Sequence, residues 1–321
     1  MKMVLNPICK THFYNCENTL YRGYLHACIK AIEPLLTKKQ KRALIDNKLQ
    51  FKRKDFDVDQ YIQSACELSV ITRMYVDFTD DFEYEPKKNT NDEKHKNKDV
   101  DFAFSFDFLK VNVEVKCFNR VNYNQIQNES DFHQSHFNIN GKKSRFLPLK
   151  DFFVKSNEKF GKQSDCEVNV LFVCCYDIDD YIDVSNSLGG KTGVCFRKNN
   201  KNNMDDCILD VDNFEKIDAV IVSNVAFHHE NFNRTNEGNF LNPWDFCETF
   251  TMGFVVHEKA RGPLWSIISQ MIKQAFNIQN DRYLMYCKNE NLDRFDYGVS
   301  LRKFIDHMND DLGGYYFIKE S

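Results

Sequence analysis

The sequence predicts an α/β protein: a mixed central sheet flanked by helices, with a helical N-terminal addition and a mixed C-terminal addition. Three observations carry that expectation. Residues 99–117 (DVDFAFSFDFLKVNVEVKC) alternate polar and apolar side chains twice over, the period-two sign of half-buried strands. Residues 168–176 (VNVLFVCCY) and 217–227 (IDAVIVSNVAF) are nearly continuous apolar runs, as expected of interior strands covered on both faces. Residues 57–75 place Tyr61, Ala65, Leu68 and Thr72 at helical spacing, and residues 149–160 fit a crossover helix.

Composition narrows the class. A chain of 321 residues, 42% hydrophobic with 29 Phe, has ample material for a core. The 12 Cys are scattered rather than arranged as a small secreted framework. No charged-then-apolar leader opens the chain, and no apolar run approaches the roughly 18 residues a membrane helix needs. The expected setting is therefore soluble, reducing and cytoplasmic, with no membrane partner. A net charge of −4 does not announce nucleic-acid binding. Local basic runs at Lys38, Lys39, Lys41 and Arg42, and at Lys52, Arg53 and Lys54, suit either phosphate contact or a solvated helix face.

Taken in order, residues 1–56 read as a helical N-terminal extension. A helix over 17–32 stops at Pro34, which lacks a backbone donor, and Thr37 caps a second helix running to 49. Cys9, His12 and Cys16, with His26 or Cys28 as a fourth, have usable metal-ligand spacings but lack the paired cysteines of a zinc knuckle. Ordinary core or surface residues are the expected reading. Residues 57–227 form the expected core domain, opened by a helix that Asp57 caps. Glu67 lies at the edge of its apolar stripe. Residues 87–98 (KKNTNDEKHKNK) are polar and aperiodic, a loop that brings Lys94, Lys96 and Lys98 beside whatever the following strand binds. Gly190-Lys191-Thr192 ends like a phosphate-binding loop, but Ser185 stands where that loop needs glycine, which argues against an NTPase. His228-His229-Glu230 lacks zinc-protease spacing and is expected in a loop. Residues 228–321 form a C-terminal extension packing on the core. It has an aromatic segment over 239–258, a helix over 263–276, a short strand over 283–287 and a helix over 301–308.

The hairpin within 99–117 carries the chemistry. With Phe106 paired to Val111, Ser105 faces Asn112, Ala103 faces Glu114 and Asp101 faces Lys116, about 5 Å apart at the β-carbons. Asp101, Glu114 and Lys116 then converge above a Phe/Val sheet, an expensive place for isolated charges. A divalent cation resolves that cost, and hard carboxylate oxygens suit Mg2+ (or Mn2+).

An acid on one strand followed by Glu114-Val115-Lys116 on the next resembles the PD-(D/E)XK nuclease superfamily, also called restriction-endonuclease-like. Val100 stands where the family name has proline. The resemblance covers residues 57–176, extending at most to 227. It implies a core of helix, three strands, helix and strand, and a metal site of Asp101 and Glu114 with Glu67 from the first helix. It also implies Lys116 as the group that orients water at the phosphate, and Gln134 as the glutamine some relatives place after the lysine. The implied activity is Mg2+-dependent hydrolysis of DNA, with RNA left open. The implied setting is restriction or defence, working as a homodimer or with an activating partner. Two alternatives stand beside it: a catalytically silent nucleic-acid-binding or scaffolding module on the same fold, and an unrelated α/β protein whose hairpin charges form a surface ladder. The last requires Glu114 and Lys116 to sit in open solvent.

Overall fold

Alternation along residues 109–118 sends Val111, Val113 and Val115 to one side of a strand and Asn112, Glu114 and Lys116 to the other, and this strand lies inside the sheet with a partner strand on each side. The computed structural model describes residues 12–13, 19–86, 100–106, 108–118, 147–161, 166–176, 178–189, 209, 214–232, 242–245, 251–255 and 284–286. Among them the helices are α1 (Thr19–Ile32), α2 (Lys38–Ala43), α3 (Val58–Asp77), α4 (Leu147–Asn157), α5 (Ile178–Gly189) and α6 (Val225–Phe232). The strands are β1 (Glu83–Tyr84), β2 (Phe102–Phe106), β3 (Leu109–Phe118), β4 (Glu167–Cys175), β5 (Ala219–Ser223), β6 (Thr251–Val255) and β7 (Leu284–Tyr286).

The strands lie side by side in sequence order in one mixed sheet. Its body is the five strands β2 to β6, with two- and three-residue strands at the edges. β1 pairs antiparallel with β2 and β2 antiparallel with β3; β3, β4 and β5 are mutually parallel, β6 is antiparallel to β5, and β7 is parallel to β6. α4 lies in the chain between β3 and β4, and α5 between β4 and β5, as parallel neighbours require a crossover.

One apolar cluster joins Phe102, Phe104, Val111, Val113, Val115, Val170, Phe172 and Ile221 of the sheet to Tyr21 and Leu25 of α1, Tyr61, Ala65 and Leu68 of α3 and Val225 of α6. The alternate sheet positions Leu171, Val173, Val220 and Val222 are also fully buried. α4 packs against β3, and α5 against β4 and β5, with Phe153, Tyr181, Val184 and Leu188 buried in those two helices. The sheet is therefore covered on both faces. No described helix is long and apolar enough to cross a membrane.

Four sequence expectations need correction. The hairpin register is two residues tighter than expected: Phe106 pairs with Leu109 and Ala103 with Asn112. A shift of two keeps every side chain on its face, but it sets Asp101 toward Glu114 rather than Lys116, and Asp101 N–H donates to Val113 O at 3.0 Å. The second helix is capped by Thr37 as expected, with Gln40 closing a reciprocal box, yet it gives way to a wider π-type turn over Leu44–Lys48. Residues 217–227 are not one strand. β5 ends at Ser223, whose hydroxyl accepts Val225 N–H at 3.3 Å, and Asn224 O accepts His228 N–H. This turn starts α6, so His228 and His229 are fully buried helix residues, not loop residues. His229 bridges Ser69 Oγ (2.9 Å) and Tyr21 Oη (3.1 Å) inside the core. The expected helices over 263–276 and 301–308 lie outside the described residues.

Candidate functional site

β2 begins at Phe102, while β3 runs on to Phe118. Beyond the end of β2, no strand among the described residues pairs with β3 on that side, and side chains take over the ladder. Asp101 Oδ2 accepts Val115 N–H at 2.7 Å. Gln63 of α3 donates from Nε2 to Val115 O at 2.8 Å and accepts Cys117 N–H at Oε1 at 2.6 Å. α3 is itself fixed at its start: Asp57 accepts Gln60 N–H, and the buried Gln50 amide brackets the Asp57 backbone at 2.7 and 2.9 Å. These bonds hold α3, Asp101 and the Glu114–Lys116 stretch in one arrangement.

The charges sit around that end of β3. Glu114 has 0% exposure, with Lys116 Nζ 2.8 Å and Lys159 Nζ 3.7 Å from its Oε1. The Lys116 contact is a close ion pair at donor distance, and the Lys159 contact is a longer one. Glu67 is 5% exposed and pairs with Lys48 Nζ at 2.6 Å, which also reaches Glu85 at 2.7 Å. Lys116 thus pairs with Glu114, and the cation directly on Glu67 is Lys48.

Burial dominates the electrostatics. It pushes the Glu114 carboxyl up to about 7, with Asp101 adding to the rise and Lys116 and Lys159 opposing it. Burial and then Asp101 push Glu67 up to about 8 against the pull of Lys48. Asp101 is raised by burial, opposed by Lys48, Lys116 and the Val115 amide. Lys116 is desolvated too, but Glu114 more than compensates, and its pKa ends above the ordinary value. Asp101 is the link, since both glutamates feel its charge.

The carboxylates of Glu67, Asp101 and Glu114 form a neighbourhood rather than a tight ligand shell. Among the described residues, the group of three potential ligands whose donor atoms all lie within 4.8 Å is Cys66, Cys117 and Cys174. Asp101 with Glu114 still fits a hard divalent ion that keeps most of its water, as Mg2+ does. The fit rests on Glu114, a fully buried carboxylate whose described partners are the ammoniums of Lys116 and Lys159 rather than fixed amide donors.

No protein-family model, curated protein or solved structure matches this chain. The reading of the site therefore stands on its residues.

Three contributors were not visible in the sequence. Gln63 shares a helix face with Glu67 one turn later, a faint signal once α3 is placed. Lys48 and Lys159 reach the acids from a π-type turn and from just beyond α4, and no local pattern marks them. Gln134, Lys94, Lys96 and Lys98 lie outside the described residues, as do Cys9 and Cys16. His12 is buried, with Nε2 2.7 Å from Leu49 O, and rings of Phe51, Phe56 and Tyr61 surround it.

Proposed function

We propose that this chain is a metal-dependent nuclease of the restriction-endonuclease-like, PD-(D/E)XK kind, hydrolysing DNA phosphodiester bonds, with defence against foreign DNA as its setting. The observation that carries the reading is Glu114. It is a fully buried carboxylate whose charge is met only by the ammoniums of Lys116, two residues on, and Lys159 among the described residues, and it lies close enough to Asp101 for the aspartate's charge to raise its pKa. The surface-ladder alternative needed that residue in solvent.

Asp101 and Glu114 would hold Mg2+ or Mn2+, with Glu67 reaching it through water. When bound, the cation supplies polarisation of the scissile phosphate and a more acidic water. The protein's own part is positional. Asp101 is oriented by the Val115 amide, and Lys116 is kept charged and side by side with Glu114. From there its ammonium can hold a water or a phosphate oxygen at the metal edge and stabilise charge as it develops. Gln63 fixes the backbone on either side of Lys116. The nuclease core is residues 57–227, with 1–56 and 228–321 as additions to it.

A second reading, the silent nucleic-acid-binding module, is favoured by the Lys48 ion pairs, which already neutralise Glu67. The discriminating assay incubates plasmid, linear duplex, single-stranded DNA and RNA with Mg2+, Mn2+ or EDTA. Wild type is expected to cut DNA with metal and not with EDTA. Lys116→Ala should lose activity by roughly 10²–10⁴-fold. Retention of DNA without cleavage under every metal would favour the silent module. Cutting that survives in Lys116→Ala would remove the proposed site.

A further inference from the structure

Next to the acidic cluster, but on the α3-covered face of the sheet, lies a group of side chains that the nuclease reading does not use. Cys117 of β3 is paired directly with Cys174 of β4 in the parallel register. Cys66 of α3 packs in the same core, and all three sulfurs lie within 4.8 Å of one another. All three are free thiols. Three thiolates around one zinc ion, at about 2.3 Å each, stand about 4 Å apart, so closure needs only a small contraction.

We propose that Cys66, Cys117 and Cys174 bind one soft divalent cation, zinc or a zinc-like ion, which ties α3 to β3 and β4. Loading needs all three sulfurs as thiolates, so each thiol still protonated gives its proton to solvent, with no change of oxidation state. Three thiolates with a divalent ion leave one net negative charge, and the Lys116 ammonium acts on Cys117 from the neighbouring position. A monovalent ion would leave two negative charges in the core, which disfavours it. Sulfur selects against Mg2+ and Ca2+. Cys66 and Cys174 are fully buried, whereas Cys117 is only partly so and opens the way in. Cys66 and Cys117 are the chain neighbours of Glu67 and Lys116, so the ion would also stiffen the backbone beneath the acidic site.

The test uses the full chain, reduced, stripped with chelator and titrated anaerobically with Co2+. A thiolate-to-cobalt charge-transfer band in the near ultraviolet, saturating at one equivalent and removed by Zn2+, is the expected result. The band should disappear in Cys117→Ser and persist in Glu114→Gln and Cys166→Ser, which separates this site from the nuclease reading. No band in wild type, or an unchanged band in Cys117→Ser, overturns the proposal. A measurement without substitutions covers a variant that fails to fold. Mass-mapped alkylation of native wild type should slow at Cys117 when Zn2+ is added, and an equal rate with and without Zn2+ also overturns it.

Discussion

Glu114 and Glu67 are buried acids whose folded-state pKa values, about 7 and about 8, stand above the ordinary 4.5. A raised acid pKa means the native state binds protons more tightly than the unfolded chain. The stabilisation is therefore full below pH 4.5 and is lost as pH rises toward 8. Thermal melts without divalent metal should show the melting temperature falling across that window, and Glu114→Gln should flatten the fall. A cation shared by these acids competes with their protons, so the Mg2+-induced rise in melting temperature should be larger at pH 8 than at pH 5. A shift independent of pH would place the ion elsewhere. The sequence exposed Asp101, Glu114 and Lys116 because period-two alternation sorts a strand by face. It did not expose Lys48, which meets Glu67 from 19 residues away across a π-type turn. An ion pair of that kind leaves no periodic trace.

Among the elements, the end of β3 shows how a strand that outruns its neighbour is finished. Where β2 stops, Asp101 and Gln63 supply the missing partners. Gln63→Ala would leave a carbonyl and an amide of β3 without side-chain partners, at about 1–3 kcal/mol for each group that water does not reach. Urea unfolding should show the midpoint falling, and an unchanged midpoint would mean water replaces the amide. The hairpin was legible in outline, since its faces survive a register shift of two, but its exact pairing depended on the length of the turn. Residues 217–227 divide between β5 and α6 in a way their pattern does not reveal, for a related reason. A short apolar run fits a buried strand or a buried helix equally, and the break at Asn224 depends on the Ser223 hydroxyl rather than on proline or glycine.

At the scale of the molecule, the sheet is sealed on both faces, and that seal gives Glu114 its dry surroundings. Phe172, fully buried in the cluster that joins β4 to its neighbours, is a direct probe of the seal. Phe172→Ala should destabilise the fold by about 3–5 kcal/mol in chemical denaturation, and a loss under 1 kcal/mol would mean the core collapses around the gap. The layered α/β class was readable from the sequence because strands buried on both sides are apolar throughout. The position of α1 against α3 was not readable, since it follows from Tyr21 and Tyr61 meeting across 40 residues. With a net charge of −4, the proposed nuclease would have to attract DNA through local basic patches, so a DNA-retention assay should show binding that weakens steeply with added salt.

The central claim is that Glu114 and Asp101 hold a divalent cation, and Mn2+ titration at pH 8 followed by electron paramagnetic resonance tests it most directly. Wild type is predicted to quench the free-ion signal by one equivalent beyond any bound in Glu114→Gln, whose own titration should lose that equivalent while circular dichroism stays native. Identical titration curves for wild type and Glu114→Gln would contradict the account.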